Sequence, residues 1–179
     1  MSLLAEELVE EWLNRNGFFT IRGIKLGVHE IDLLAIGFKD GKTICRHIEV
    51  QASVRPVSYI CALPNAIRKA TGQGPNNAKK RNPDVISKGV EEWIEKKYLL
   101  PIKQRLREEL FHGDWKFELV VHQVRFEDEL KLIEEHGISI HRLDDIILDL
   151  STPKTVVSLS SGASGSDLIE LVMLGKTKS

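Results

Sequence analysis

The sequence predicts an α/β fold in which helices flank a mixed sheet. Three features support this prediction: an amphipathic N-terminal segment, two β-rich runs on either side of an Asp-Gly pair, and a later succession of strand, helix and strand. The apolar content of 42% over 179 residues suffices for one sizeable core. With 25 Lys and Arg against 26 Asp and Glu, the chain is near neutrality, so any polyanionic partner must meet a local patch.

The first part of the chain predicts a helix and an antiparallel meander. Ser2 can cap a helix that runs to about Arg15, with Gly17 beyond its end. The run FFTIRGIKL predicts the first strand. Residues 28–38 and 43–53 predict the next two, because the Asp-Gly pair between them favours a two-residue hairpin turn.

The middle of the chain is expected to be helical. Residues 64–83 are polar and glycine-rich, which predicts a partly helical or mobile loop. Residues 85–111 predict a long helical region that Pro101 should kink or divide.

The last part predicts a parallel unit and a short appendage. WKFELVVHQV should be a buried strand, EDELKLIEEHG a helix and ISIHRL a strand reached by a right-handed crossover. After a short helix in DDIILDL, we expect one domain over residues 1–150, a linker at 151–165, and an apolar C-terminal helix and tail at 166–179. That helix should pack on the same chain or on a second copy, which would make a homodimer.

Composition also predicts the compartment. The N-terminal segment is acidic, unlike a signal peptide, and no run of about 18 apolar residues occurs, so we expect a cytoplasmic protein without a membrane partner. Cys45 and Cys61 have no metal-site spacing, and we expect both to be reduced thiols.

The hairpin brings acidic side chains to one face. A turn at 40–41 pairs the residues that flank it and carries this register along both strands. Asp32 then lies opposite Glu49, and Glu30 opposite Gln51, on the same face. Opposed like charges destabilise a sheet, but a divalent cation between them reverses that interaction. Mg²⁺ or Mn²⁺ suits such hard oxygen ligands, so Asp32 and Glu49 predict a metal site; the alternative is a solvated acidic face.

The segments AEELVEEWLNRNGFFTI, HEIDLLAIG and RHIEVQAS resemble the PD-(D/E)XK nuclease superfamily. They are most similar to Holliday-junction-resolvase-like proteins and to small endonuclease-like proteins with a GEIDLI stretch. The resemblance implies a restriction-endonuclease-like αβββαβ core. It also implies catalytic roles for Glu6, Asp32, Glu49 and Gln51, with the metal held by Asp32, Glu49 and the backbone carbonyl of Val50.

Gln51 departs from the superfamily's pattern. It stands where the superfamily usually has a lysine that positions or activates the attacking water. A glutamine amide can orient a water, but it brings no positive charge. The leading expectation is a metal-dependent endonuclease acting on DNA. The alternatives are a catalytically silent module that binds nucleic acid or a partner protein, and a purely structural domain.

A second stretch of the sequence also matches the superfamily's motif, but we reject it as the site. Pro83-Asp84 is followed by Glu95-Lys96-Lys97, but this stretch has helical periodicity. Residues two apart on a helix point in different directions, whereas the chemistry needs the acid and the lysine on one face of a strand. We therefore do not expect this segment to form the site.

A basic segment follows the hairpin. No acidic residue occurs between Val50 and Pro83. The segment is well placed to hold phosphates, with a solvated loop as the alternative. The basic residues that we expect to bind nucleic acid are Arg55, Arg68, Lys69, Lys79, Lys80 and Arg81.

Overall fold

A computed structural model describes residues 2–53 and 55–151. The predicted C-terminal helix at 166–179, and all but the first residue of the predicted linker, lie outside the described residues. None of the helices in the described ranges is long and apolar enough to cross a membrane.

The chain forms a mixed five-stranded sheet flanked by helices. The strand order is β1-β2-β3-β4-β5; β1, β2 and β3 are antiparallel, and β4 and β5 continue the sheet in parallel with β3. The α/β class and the mixed sheet predicted from the sequence are therefore confirmed. The elements are α1 (Ser2–Arg15), β1 (Phe18–Leu26), β2 (His29–Lys39), β3 (Lys42–Gln51), α2 (Asn65–Thr71), α3 (Pro83–Ile94), a π-helical turn (Glu95–Leu99), α4 (Pro101–Leu110), β4 (Trp115–Val121), α5 (Asp128–Glu135), β5 (Ser139–Arg142) and α6 (Leu143–Ser151).

The hairpin between β2 and β3 has the predicted register. Asp40 and Gly41 have φ angles of +53° and +73°, which a two-residue type I′ turn requires at both positions. Lys39 pairs with Lys42, and the same register continues as far as Leu33 opposite Ile48. The ends of the strands differ slightly from the prediction, since β3 ends at Gln51 rather than at residue 53.

The sheet separates two apolar cores. Leu33, Ile48 and Val50 point into a core shared with α1 and α6. Leu119 and Val121 of β4 point to the opposite face, into a core shared with α3 and α5. Because side chains alternate along a strand, the residues of β3 between its apolar ones must face this second core. Glu49 is one of them.

The helical region before β4 is divided as Pro101 predicts. α3 starts at Pro83, two residues earlier than expected, and passes into the π-helical turn. Leu100 is extended, with φ −57° and ψ 133°, because a residue that precedes proline disfavours the helical conformation. Pro101 then begins α4.

The segment between β3 and α3 is only partly helical, as predicted. It contains α2, which ends at Gly72 in the left-handed region with φ +66°. Cys61 in this segment and Cys45 in β3 are both buried, and they form no disulfide with each other.

Candidate active site

Asp32 lies where the pairing of β2 and β3 ends. Its Oδ2 atom accepts a hydrogen bond from the backbone N–H of Val50 at 2.8 Å. The N–H and C=O of one strand residue point to the same side, so the Val50 carbonyl is also turned towards β2. The Asp32 carboxyl group and the Val50 carbonyl are therefore both on the β2 side of β3.

Glu49 is buried in a cluster of donors. Its Oε1 lies 3.1 Å from both His47 Nε2 and Lys103 Nζ, and its Oε2 lies 2.5 Å from Lys97 Nζ. Only 1% of Glu49 is exposed, so the alternative of a solvated acidic face does not hold for this residue. A buried carboxylate needs such partners, because an unpaired one carries a large desolvation cost.

Three side chains of α4 hold the π-helical turn in place. Carbonyl groups at the end of a helix need donors from outside it. The pairs are Lys103 Nζ to the Lys97 carbonyl at 2.7 Å, Arg107 Nη2 to the Tyr98 carbonyl at 2.9 Å, and Gln104 Nε2 to the Leu99 carbonyl at 2.8 Å. These bonds fix the backbone from which Lys97 reaches the sheet.

His47 is a neutral donor to Glu49. Its Nδ1 atom lies 2.9 Å from Arg107 Nη1, and a guanidinium can only donate, so Nδ1 accepts and the proton resides on Nε2. Burial holds the pKa of His47 well below its usual value, and the nearby charges of Arg107, Lys103 and Lys97 lower it further. Arg107 thereby sets the tautomer that binds Glu49.

Asp32 and Lys97 have perturbed proton affinities. Burial raises the pKa of Asp32 to about 6; the charge of Glu49 adds to the increase, while Lys97 and the Val50 N–H oppose it. Burial alone would lower the pKa of Lys97, but the charges of Glu49 and Asp32 outweigh it, and the pKa is raised. The lysine is thus charged at neutral pH beside two acids, and shifts of this kind are typical of functional sites.

The donor set suits a divalent cation in part. Asp32, Glu49 and the Val50 carbonyl supply hard oxygen ligands, and Mg²⁺ usually keeps several waters, so two carboxylates are enough. Within the described ranges no three His, Cys, Asp or Glu side chains gather as a metal-binding group, so Glu6 does not complete one with Asp32 and Glu49. Glu6 is a buried residue of α1, and its catalytic role stays a prediction.

The structure adds two lysines that the sequence reasoning missed. The stretch containing Glu95 and Lys97 is helical, as predicted, so those two residues do not act together on a strand. Lys97 of the π-helical turn instead reaches Glu49 of β3. The only signal for it in the sequence was its position two residues after Glu95, which matches the superfamily's Glu-x-Lys pattern. Lys103 had no signal in the sequence. Gln51, the expected catalytic residue, is exposed at the end of β3 on the Glu49 face.

The six basic residues that were expected to bind nucleic acid differ in their exposure. Arg81 is only 8% exposed; its Nη1 donates to the Cys61 carbonyl at 2.8 Å, and its guanidinium lies 4.0 Å from the centre of the Tyr59 ring. Arg81 is therefore an interior residue, which corrects its expected role in binding nucleic acid. Arg68 on α2 is half-buried. The other four, Arg55, Lys69, Lys79 and Lys80, are exposed.

Comparisons with known proteins assign neither a family nor an activity. No family model matches the chain, and no curated protein matches it significantly. Among solved structures, it is similar to a crystal structure of a protein of unknown function, AF1548. The identity is 15%, the TM-score is 0.45, and the match covers 96% of this chain and 77% of that one. The residues themselves must therefore support any proposal of function.

Proposed function

We propose that this protein is a divalent-metal-dependent endonuclease that hydrolyses phosphodiester bonds, with DNA as the leading substrate. One observation carries the proposal: Lys97 Nζ lies 2.5 Å from Glu49 Oε2, beside the Asp32 carboxyl group. Two acids on one face of a hairpin, with a lysine of the π-helical turn against them, form the set that metal-assisted phosphodiester hydrolysis uses. Lys97 supplies the positive charge that Gln51 lacks.

The order of the elements supports a restriction-endonuclease-like core. A helix, an antiparallel meander of three strands, a helical region and a parallel strand follow one another along the chain. This is the αβββαβ order that the superfamily resemblance implies. The two acids lie on its second and third strands, where that resemblance places them.

Each residue has a definite role in the proposal. Asp32, Glu49 and the Val50 carbonyl would hold Mg²⁺ or Mn²⁺, which, when bound, supplies Lewis-acid activation of water and of the phosphate. Lys97, with 26% of its side chain exposed, can turn from Glu49 to a non-bridging phosphate oxygen and neutralise its charge. Gln51 would orient the attacking water through its amide.

A second candidate is a catalytically silent module that binds nucleic acid or a partner protein. It is favoured by the saturation of Glu49, whose two oxygens already accept from His47, Lys97 and Lys103. In this case the ion network only joins the helices to the sheet. The two candidates differ in whether Glu49 is needed for strand cleavage.

Nicking of supercoiled and branched DNA with Mg²⁺ or Mn²⁺ tests the proposal. We expect chelator to stop the reaction and Glu49→Gln to slow it by about 100-fold or more, because a ligand carboxylate is lost. Glu30→Gln is the matched control, since this exposed acid lies on the adjacent strand. Metal-independent nicking, or equal rates for both variants, would reject the endonuclease. Binding without nicking would favour the silent module.

A further inference from the structure

Two cavities lie against α2, and the first of them also borders α3 and the π-helical turn. The first, which Lys97 helps to line, has a volume of about 310 Å³, and the second has a volume of about 250 Å³. Asn65 and Arg68 line both of them. These two cavities, which share Asn65 and Arg68, are here called the groove; Lys97 lines the first of them and also contacts Glu49.

Arg68 has an unmet hydrogen-bonding capacity in this groove. Its Nε–H is buried and has no acceptor, while Nη1 donates to Asn65 Oδ1 at 3.3 Å. A buried donor without an acceptor costs free energy, and a guanidinium pairs best with the oxygens of a phosphate or carboxylate. An anion in the groove would satisfy it.

The charges around the groove favour a chain of phosphates on the α2 side. Lys69 lines the second cavity, and Lys96 joins Lys97 in the first one. Glu92 and Glu95 also line the first cavity, and both Glu92 oxygens accept from the Asn65 N–H, at 3.3 and 3.2 Å. The Glu92 carboxylate thus lies against the first residue of α2, so phosphates should be held further along α2, at Arg68 and Lys69.

We propose that this groove binds an unpaired nucleic-acid strand and that Arg68 holds a phosphate next to the scissile one. The inference rests on the proposed function, because it makes the groove the approach to Glu49 and Lys97. Grooves that bind single strands track the backbone with positive charge and offer apolar walls to the bases. Leu100 and the small exposed part of Trp93, which otherwise belongs to the second core, line the first cavity.

Burial of the site favours an unpaired strand over a duplex. Glu49 and Lys103 are each 1% exposed, and Lys97 of the π-helical turn and Lys103 of α4 both contact the Glu49 carboxylate. A duplex holds its phosphates on a rigid helical path, so it fits a covered site less readily than a flexible single strand does. A flexible strand can bring its phosphate past Lys97.

Binding measured by fluorescence anisotropy tests this inference. The full chain is titrated into a labelled oligothymidylate and into a duplex of equal length, in chelator and at several salt concentrations. We expect tighter binding of the single strand, about a tenfold loss for Arg68→Gln, and a salt slope smaller by about 0.7. Arg105→Gln, an exposed arginine of α4 outside both cavities, should bind like the wild type.

Two outcomes would overturn the inference: duplex binding as tight as that of the single strand, or equal effects of Arg68→Gln and Arg105→Gln. Cleavage of the same oligothymidylate in Mn²⁺ separates this inference from the proposed function. A strand bound through Arg68 but left uncut supports the groove and rejects the endonuclease. A strand cut at equal rates by Arg68→Gln and wild type supports the endonuclease and rejects the groove.

Discussion

The ionisation of Asp32 opposes folding. Its pKa is raised to about 6 by burial and by Glu49, whereas an unfolded aspartate titrates near pH 3.9. Between these values the folded protein holds a proton that the unfolded chain has released. The contribution of Asp32 to stability should therefore fall as pH rises from about 4 to about 6, and that loss should persist above this range.

Replacing Asp32 should stabilise the protein. Asp32→Asn keeps an acceptor for the Val50 N–H and removes the buried charge, so we expect the free energy of unfolding to rise by about 1 to 3 kcal/mol at pH 7.5. The gain should shrink as pH falls from 6 to 4. Urea denaturation at several pH values measures it, with Glu30→Gln as the control. A loss of stability at pH 7.5, or an equal gain at pH 4, would contradict this explanation of Asp32.

At the scale of single residues, the sequence predicted that Asp32 and Glu49 lie opposite each other, but it did not predict that Lys97 contacts Glu49. Asp32 and Glu49 follow from alternation along two strands whose register a local turn decides. Lys97 depends on how a helical region packs against a strand 48 residues earlier in the chain. Periodicity indicates which side of a helix faces the sheet, but it does not indicate which strand residue a long side chain will meet.

At the scale of elements, α4 joins the π-helical turn to β3. Lys103 and Arg107 lie four residues apart and so share one side of the helix. Each binds a carbonyl of the turn and a side chain of β3: Lys103 binds Glu49, and Arg107 binds His47. The position of Lys97 therefore depends on α4, although α4 itself contributes no acid to the site.

Arg107→Met should destabilise the contacts by which α4 joins the π-helical turn to β3. The substitution keeps much of the apolar packing but removes the donors to His47 Nδ1 and to the Tyr98 carbonyl, which are both buried. We expect a loss of about 2 to 4 kcal/mol in the free energy of unfolding, because two buried acceptors lose their partner. Urea denaturation measures the loss. Arg105→Met, on the exposed side of α4, is the control, and similar losses in both variants would contradict the role of Arg107.

Elements that adjacent residues determine were predicted correctly, whereas an element that depends on contacts with another helix was not. The hairpin was predictable because Asp40 and Gly41 adopt positive φ in almost any context that allows the turn. Pro101 likewise sets the start of α4 through its own ring. The π-helical turn could not be predicted, because its carbonyls are satisfied by side chains from the next helix.

At the scale of the whole molecule, the sheet separates two apolar cores, and the site lies on the face of the sheet that bears the second core. One core lies beneath α1 and α6, and the other surrounds the buried Glu49 cluster beneath α3 and α5. The chain is near neutrality overall, yet three cations converge on this cluster. Composition alone therefore could not reveal the site.

Metal binding should be visible in the stability of the whole protein. If Asp32 and Glu49 hold Mn²⁺, wild-type stability should rise by about 2.7 kcal/mol at a metal concentration of 100 times Kd. Asp32→Asn should lose this response, and Glu30→Gln should keep it. A Mn²⁺ titration followed by thermal denaturation measures the shift. Equal shifts in wild type and Asp32→Asn would place the metal elsewhere.

The central claim is that Lys97 supplies the positive charge of the site. The most direct test moves that charge from the π-helical turn to the end of β3. Nicking rates are compared for wild type, Lys97→Met, Gln51→Lys and the double variant in Mg²⁺ or Mn²⁺. We expect Lys97→Met to be about 100-fold or more slower, because it removes the positive charge from the phosphate. Gln51→Lys should keep or raise activity, and the double variant should recover to within about tenfold of wild type. If Lys97→Met nicks DNA as fast as wild type, Lys97 is not the lysine of the site.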